Sequence, residues 1–282
     1  DINNVKVVAK INIIKSEKSS DLDDLISNIS KFSNTQTNVS DVDLRSRSKE
    51  LVEIKNLSNS VSSPNGKKWF FERFRGEFAT AVKLAGSSGA ARMKREIPKE
   101  RQFSKEQLAK VYLSWGDKPW FVKKGGTKIF RAFMEEISNA SNPENKIIID
   151  RDFYEVLIAK IILVNALTEI YGSSKSAMGQ LRASAVPYAL SLLYMETDGA
   201  ASGGDFSFLR IWKAGKVPDD LSGYCEELLL LTNKLLKKYS KSDDVPQYSK
   251  NIELWTDIKK SIEVNDFFAQ SGSKSLIRKY SS

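Results

Sequence analysis

The sequence contains no histidine and only one cysteine, and these absences exclude several kinds of active site. Histidine is the usual general base near neutral pH and the commonest ligand of transition metals. Without it, the chain cannot assemble a Ser-His-Asp or Cys-His catalytic arrangement. A single cysteine, Cys225, forms neither an internal disulfide nor a Cys/His zinc site. This usage is typical of a reducing compartment, and we expect a cytoplasmic protein.

The sequence also lacks a long uninterrupted apolar run. Its most apolar stretch, residues 156–170, contains Lys160, Asn165 and Glu169, which are too many polar groups for a membrane span. No segment at the start resembles a signal peptide, so we expect no membrane association. The first residue is Asp1 rather than Met, and we expect the chain to be a piece of a longer protein.

Strand patterns are scarce and helical patterns are common. Residues 5–14 alternate and are rich in β-branched side chains, which predicts one strand. Few other segments resemble strands, so we expect residues 1–65 to be the end of an upstream α/β domain. Residues 69–78 fit a strand or a helix equally well.

Helical periodicity dominates the remainder of the chain. Ser104 and Gln107 form a capping box that predicts a helix beginning after Ser104. Another helix is predicted to begin near Gly125 and Gly126, and residues 153–170 are apolar nearly all round, as in a central buried helix. Further helices are predicted over residues 177–194, 221–239 and 252–264. We therefore predict a mainly α protein: a short β element at the N-terminus, a basic aromatic-rich segment over 66–142 and a helical bundle over 143–282.

The positive charge is concentrated in one part of the sequence. The whole chain has 44 Lys and Arg against 35 Asp and Glu, but residues 66–131 alone hold 17 basic and 6 acidic residues, a net charge of +11. The same stretch holds 11 aromatic residues. Basic side chains that neutralise phosphates, beside rings that stack on unpaired bases, are typical of a nucleic-acid surface. The other interpretation is a solvated face over an aromatic core, which for the rings is the more common arrangement.

The candidate nucleic-acid-binding residues are Lys67, Lys68, Arg73, Arg75, Arg92, Lys94, Arg95, Lys123 and Lys124. Arg73 and Arg75 could hold phosphates bidentately, or pair internally with Glu72 and Glu77. Gly125 and Gly126 are candidate anion-binding residues, because free backbone N–H groups at a helix start favour an anion; a flexible turn is the alternative.

Catalysis without histidine would need carboxylates holding a hard metal ion. The candidates are Asp41 and Asp43 with the acid-x-Lys motif of Glu53 and Lys55. That motif occurs three times, no more often than chance gives in a chain this rich in acids and lysine. We expect no cofactor, and magnesium or manganese only if these residues form a nuclease.

Several blocks of residues, read in order, resemble one protein family. The blocks are Asn34-Thr35-Gln36 with Asp43-Leu44-Arg45-Ser46, the run Trp69-Phe70-Phe71-Glu72-Arg73-Phe74-Arg75-Gly76-Glu77-Phe78, and the stretch Pro98-Lys99, Phe103-Ser104-Lys105, Leu108-Ala109-Lys110, Trp115, Pro119 and Lys124-Gly125. Together they resemble the AIPR family, prokaryotic abortive-infection phage-resistance proteins. The clear resemblance spans residues 5–133, and Leu181-Arg182-Ala183 extends it less specifically. Two family features are missing: an Asn-Gly-x-Gln-Thr signature, and a His at the position of Trp120.

The resemblance implies a role in defence against phage, with DNA or RNA as the expected partner. Two other hypotheses stay open. The protein is a metal-dependent nuclease whose active site lies mainly outside or at the start of this chain, or it is a protein-interaction module that senses a phage product. The sequence leaves the oligomeric state undetermined.

Overall fold

The structure, a computed structural model, describes residues 48–138, 147–173, 181–198 and 205–281. All of these belong to one compact unit, Ser48–Ser282. The strand predicted over residues 5–14 lies outside the described residues, as do Asp41 and Asp43.

Thirteen helices and two short strands form the described part of the chain. In chain order they are α1 (Lys49–Ser60), β1 (Phe70–Glu72), α2 (Glu77–Leu84), α3 (Gly86–Glu96), β2 (Gln102–Ser104), α4 (Lys105–Ser114), α5 (Gly126–Ser138), α6 (Arg151–Ser173), α7 (Arg182–Glu196), α8 (Leu209–Ala214), α9 (Asp219–Tyr239), α10 (Val245–Tyr248), α11 (Ile252–Lys259), α12 (Ile262–Ala269) and α13 (Ser271–Tyr280). The predicted mainly α fold with a short β element is confirmed. Among the described residues, no helix is both long and apolar enough to cross a membrane.

The two strands pair in parallel, with Phe71 opposite Phe103. The rings of these two residues stack with their centroids 5.2 Å apart, and both are buried. Residues 69–78, which fitted a strand or a helix, contain both, since β1 is followed by a turn and then by α2. The turn ends at Gly76, whose φ of 83° lies in the left-handed region that favours glycine.

Helix α6 is the centre of the bundle. It contacts α1, α4, α7, α8 and α9. Buried side chains occur along its whole length, from Tyr154 through Ile158 and Ile161 to Tyr171. Because the helix is apolar nearly all round, it is stable only when other helices surround it, and the predicted central buried helix is confirmed.

The predicted starts of α4 and α5 are also confirmed. The hydroxyl of Ser104 accepts a hydrogen bond from the Gln107 N–H at 3.2 Å, so α4 begins at the capping box. Helix α5 begins at Gly126.

The single helix predicted over residues 252–264 is wrong, because two helices, α11 and α12, cover this stretch. The break lies at Ser261, which has an extended backbone and accepts a hydrogen bond from the Val264 N–H at 3.4 Å. Serine competes with the helical backbone for hydrogen bonds and so favours a cap over a helix interior.

Candidate nucleic-acid interface

Strand β1 with helices α2 and α3 forms a lobe that has a small core of its own. Phe70, Phe78 and Val82 are buried there, and Ala90 and Met93 of α3 pack against them. No residue of α3, which is described over its whole length, is fully buried. We call residues 67–99 the basic lobe, because most of the candidate binding residues lie on it.

Three candidate cations lie on α3. Ala90, Met93 and Ile97 face the lobe core, and a helix turns by about 100° per residue, so Arg92 and Arg95 lie together on the outward face. Both arginines are exposed, as is Lys94 on the flank. The Arg92 Nε lies 4.0 Å from a Glu96 carboxylate oxygen, and an exposed pair at that distance holds Arg92 weakly. All three side chains are therefore accessible to a phosphate backbone.

Two further cations lie in the turn that joins α1 to β1. Lys67 and Lys68 are exposed and follow Gly66, whose φ of 73° lies in the left-handed region that a tight turn uses. The Lys68 ammonium donates a hydrogen bond to the Asn59 carbonyl at 3.3 Å, at the end of α1. The turn thus presents both lysines to solvent at the edge of the basic lobe.

In the turn between β1 and α2, the carboxylates of Glu72 and Glu77 contact groups other than the nearby arginine side chains. One Glu72 oxygen accepts from the Gly76 N–H at 3.0 Å, and one Glu77 oxygen accepts from the backbone N–H of Arg73 at 2.9 Å. The other Glu77 oxygen lies 3.0 Å from the Lys55 ammonium. Backbone groups and Lys55 therefore occupy the two carboxylates.

The two arginine side chains of this turn have different surroundings: Arg73 lies beside an aromatic ring, and Arg75 lies in solvent. The Arg73 guanidinium lies over the Phe74 ring, with 4.8 Å from its central carbon to the ring centroid. Its Nε is buried and has no hydrogen-bond partner among the described residues. Arg75 is exposed. A buried donor without a partner is costly.

The acid-x-Lys candidates are held in structural contacts. Besides its ion pair with Glu77, Lys55 donates to the Phe71 carbonyl at 2.7 Å and lies 3.6 Å from the centroid of the Phe70 ring. Burial lowers the pKa of Lys55, and Glu77 acts in the opposite direction. Glu53 lies 3.9 Å from Lys49, one helical turn away. Catalysis by Glu53 and Lys55 stays a prediction, and so does the metal: the residues that the structure describes contain no group of three potential ligands placed to hold an ion.

The start of α5 forms a second, separate cationic neighbourhood. The Gly125 carbonyl accepts from the Lys128 N–H at 2.9 Å, which makes Gly125 the cap of the helix. Both glycines of this turn are exposed, and a side chain at either would meet no atom within 4 Å. Burial lowers the pKa of the half-buried Lys123, and nearby Lys110 and Lys250 lower it further. Periodicity gives no signal for Lys250, which reaches this cluster only through tertiary packing.

Lys124 belongs to this neighbourhood too, with its ammonium 5.6 Å from the centroid of the Phe121 ring. The nine candidate cations therefore lie in two separate places: seven on the basic lobe and two at the start of α5. Their binding of nucleic acid, and of an anion at Gly125 and Gly126, stays a prediction.

A cavity of about 890 Å³ with several polar residues in its lining lies beside the paired strands β1 and β2. Its lining includes Lys99 from the basic lobe, Gln102 of β2 and Arg182 at the start of α7. The Arg182 guanidinium lies against α6, 3.5 Å from where a Cβ on Gly172 would stand, which is an ordinary packing distance. Arg182 has no local sequence signal beyond its family-like block, because the contact joins two helices.

Comparison with known proteins gives one match. A family model described as AIPR protein matches residues 1–240. No curated protein and no solved structure matches the chain. The match includes the basic lobe, the start of α5 and Arg182.

Proposed function

Because the chain belongs to the AIPR family, whose members are abortive-infection phage-resistance proteins, we propose that it acts in phage defence by binding DNA or RNA through the basic lobe. The observation that carries the proposal is that the acidic side chains of this lobe are held by other groups while most of its basic side chains are exposed. The acids nearest to Arg73 and Arg75 are occupied by backbone N–H groups and by Lys55. The exposed arginine and lysine side chains of the lobe have weak contacts, such as the 4.0 Å pair of Arg92 with Glu96, so they attract counterions from solution. Release of those counterions is what drives phosphate binding.

The geometry supports backbone contact more than base stacking. Most aromatic residues of the basic segment, including Phe70, Phe71 and Phe103, are buried in packing contacts. The cations of α3 and of the two turns are exposed or half-buried. Contacts of this kind neutralise phosphates without reading sequence, so we expect affinity without strong sequence preference.

The test is binding of labelled duplex DNA, single-stranded DNA and RNA, followed by fluorescence anisotropy between about 50 and 200 mM salt. On duplex DNA, the logarithm of the association constant should fall against the logarithm of salt concentration by about 0.9 per phosphate contacted. Replacing Arg92, Lys94 and Arg95 together by alanine should weaken binding about tenfold or more and make the slope shallower by roughly 2 to 3.

The matched control removes the same charge from another surface: Lys234, Lys237 and Arg278, all exposed, are replaced by alanine. We expect this variant to bind within about threefold of the unmodified protein. Equal losses in the two triple variants would show that net charge, not the basic lobe, binds nucleic acid. Absence of binding to every probe at the lowest salt would overturn the proposal.

A further inference from the structure

A second cavity, of about 430 Å³, lies between α4, α5 and α7, where the sequence analysis expected no site. Four aromatic rings line it, those of Tyr112, Trp115, Phe121 and Tyr194. Three of these residues, Tyr112, Phe121 and Tyr194, are half-buried, and the first two already lie beside the ammonium groups of Lys160 and Lys124. We call this cavity the aromatic pocket.

The rings are held in place by contacts behind them. Trp115 packs edge-on against Tyr194, with 6.0 Å between centroids, and its indole N–H donates to an Asp198 carboxylate oxygen at 2.6 Å. The other Asp198 oxygen accepts from the Phe206 N–H at 2.6 Å. Tyr112 packs edge-on against Phe133 at 5.2 Å. The walls are therefore formed before any ligand arrives, which lowers the entropic cost of binding.

The electrostatic character of the pocket is opposite to that of its surroundings. Burial raises the pKa of Tyr194, and the carboxylates of Asp198, Asp117, Glu136 and Asp205 raise it further. Each of these four acids therefore contributes negative potential at the Tyr194 hydroxyl. The opposing cations are Lys160 and Lys118, which lower the pKa of Glu136 against the effect of its burial. Of the charged residues that line the pocket, Asp117 and Glu136 are acidic and Lys118 is basic, so the lining carries a net negative charge in a chain whose net charge is +9.

Two of the acids are placed to meet a ligand. Asp117 and Glu136 line the pocket and are exposed, so they stand at its mouth. Deeper in, Lys160 is half-buried, with its ammonium 5.2 Å from the centroid of the Tyr112 ring and 5.4 Å from that of Phe208. Lys160 acts on both Asp198 and Glu136. Lys118 lines the pocket and Tyr112 forms a hydrogen bond with Glu136, so a bound cation shares Glu136 with these groups.

We propose that the aromatic pocket binds an organic cation, an alkylammonium or alkylguanidinium group held between the rings and paired with Glu136 and Asp117. A cation over an aromatic face is attracted by the negative face of the ring, and the attraction is stronger where water is partly excluded. The same negative potential disfavours phosphates, so the pocket is a separate site from the basic lobe and does not depend on nucleic-acid binding. The head group occurs both in free polyamines and in Lys or Arg side chains of proteins.

The test is titration of the intact protein with butylguanidinium, butylammonium and spermidine, followed by calorimetry and by tryptophan fluorescence, since Trp115 is part of the wall. Butanol and butyrate are the neutral and anionic comparisons. Saturable binding of the cations, at least tenfold tighter than either comparison, is expected. Equal binding of butanol, or preferential binding of butyrate or a nucleoside monophosphate, would refute a cation site.

Two matched pairs of variants locate the site. Glu136→Gln should weaken cation binding about tenfold, whereas Glu135→Gln, an exposed neighbour on α5 that does not line the pocket, should leave it unchanged. Tyr194→Leu should weaken binding about five- to thirtyfold, and Tyr194→Phe, which keeps the ring, should retain it. Circular dichroism checks that each variant is folded. If the two glutamate variants bind the cation equally well, or if the two tyrosine variants do, the assignment of the site to this pocket fails.

One further comparison identifies the source of the cation. A blocked Gly-Arg-Gly peptide is titrated beside butylguanidinium. Tighter binding of the peptide would indicate a protein side chain as the natural ligand, and tighter binding of spermidine or butylguanidinium would indicate a free metabolite. Either outcome supports a cation pocket, and failure of all these probes overturns it while leaving the nucleic-acid proposal intact.

Discussion

Lys160 shows most clearly how the fold changes the chemistry of a single residue. In the sequence, Lys160 is notable only as a charged residue that makes the apolar stretch 156–170 unsuitable for a membrane span. In the structure, burial lowers its pKa from 10.5 to about 8, and Asp198 and Glu136 offset only part of that effect. The shift means that holding this ammonium in the bundle costs free energy at neutral pH, and the free energy of unfolding should report the cost.

We predict that Lys160→Met raises the free energy of unfolding at pH 7 and that this gain shrinks as the pH approaches 10. Between the folded pKa of about 8 and the unfolded value of 10.5, the unfolded chain binds more protons than the folded one. The unmodified protein therefore gains stability with rising pH, by at most about 1.4 kcal/mol per pH unit. Urea unfolding of both proteins across this pH range measures the difference in their free energies of unfolding. The titration of the tyrosines and of Cys225 is common to both proteins and cancels from this difference. A difference that stays constant with pH would contradict the assignment.

At the scale of elements, side-chain hydrogen bonds to the backbone join α1 to β1. Ser58 of α1 is buried, and its hydroxyl donates to the Trp69 carbonyl and accepts from the Phe71 N–H, both at 2.9 Å. One side chain thus satisfies two backbone groups next to the strand. Lys55, one turn earlier in α1, adds a bond to the Phe71 carbonyl, so the helix fixes the strand that carries the basic lobe.

We predict that Ser58→Ala lowers the free energy of unfolding by about 2 kcal/mol, because it leaves a buried N–H and a buried carbonyl without partners. Ser60→Ala is the control, since Ser60 is exposed and bonds only to carbonyls of its own helix among the described contacts. The control should change stability by less than about 0.5 kcal/mol. Chemical denaturation of the three proteins measures both values, and similar losses in the two variants would remove Ser58 as a joint.

At the scale of the whole molecule, the compact unit extends beyond the residues that the family model matches. The match ends at residue 240, yet Trp255 of α11 is almost completely buried and packs edge-on against Tyr188 of α7 at 5.6 Å. Near the end of α13, Tyr280 stacks on Phe206 at 5.5 Å. The last helices therefore complete the core that α6, α7 and α9 begin.

We predict that a fragment of residues 48–282 unfolds cooperatively and that a fragment of residues 48–240 does not. The shorter fragment exposes the apolar face that α11 covers, and loss of a buried tryptophan alone costs about 3–5 kcal/mol, a large part of the stability of a domain. Thermal unfolding followed by circular dichroism compares the two. Cooperative unfolding of the shorter fragment would show that the C-terminal helices are dispensable for the fold.

The sequence by itself determined the features that depend on neighbouring residues. The Ser104 cap, the start of α5 at Gly126 and the all-round apolar character of α6 are written in local patterns, because capping and burial act over one or two helical turns. Concentration of positive charge in residues 66–131 is also a property of the sequence alone. Local pattern was insufficient in residues 69–78, where a strand is followed by a helix, and at Ser261, where one helix ends and the next begins. Both stretches are too short for a strand or helix period to be recognised.

Only the tertiary structure decided which charges act together. It placed Glu77 on Lys55 and on the backbone N–H of Arg73, brought Lys250 to Lys123, and set Arg182 against Gly172. It also gathered the carboxylates of Asp117 and Glu136 around four rings, which come from α4, α7 and the loop after α4, to make a negative pocket in a basic chain. Electrostatic interactions depend on distance and burial, and residues far apart in the sequence acquire both only when the chain is packed.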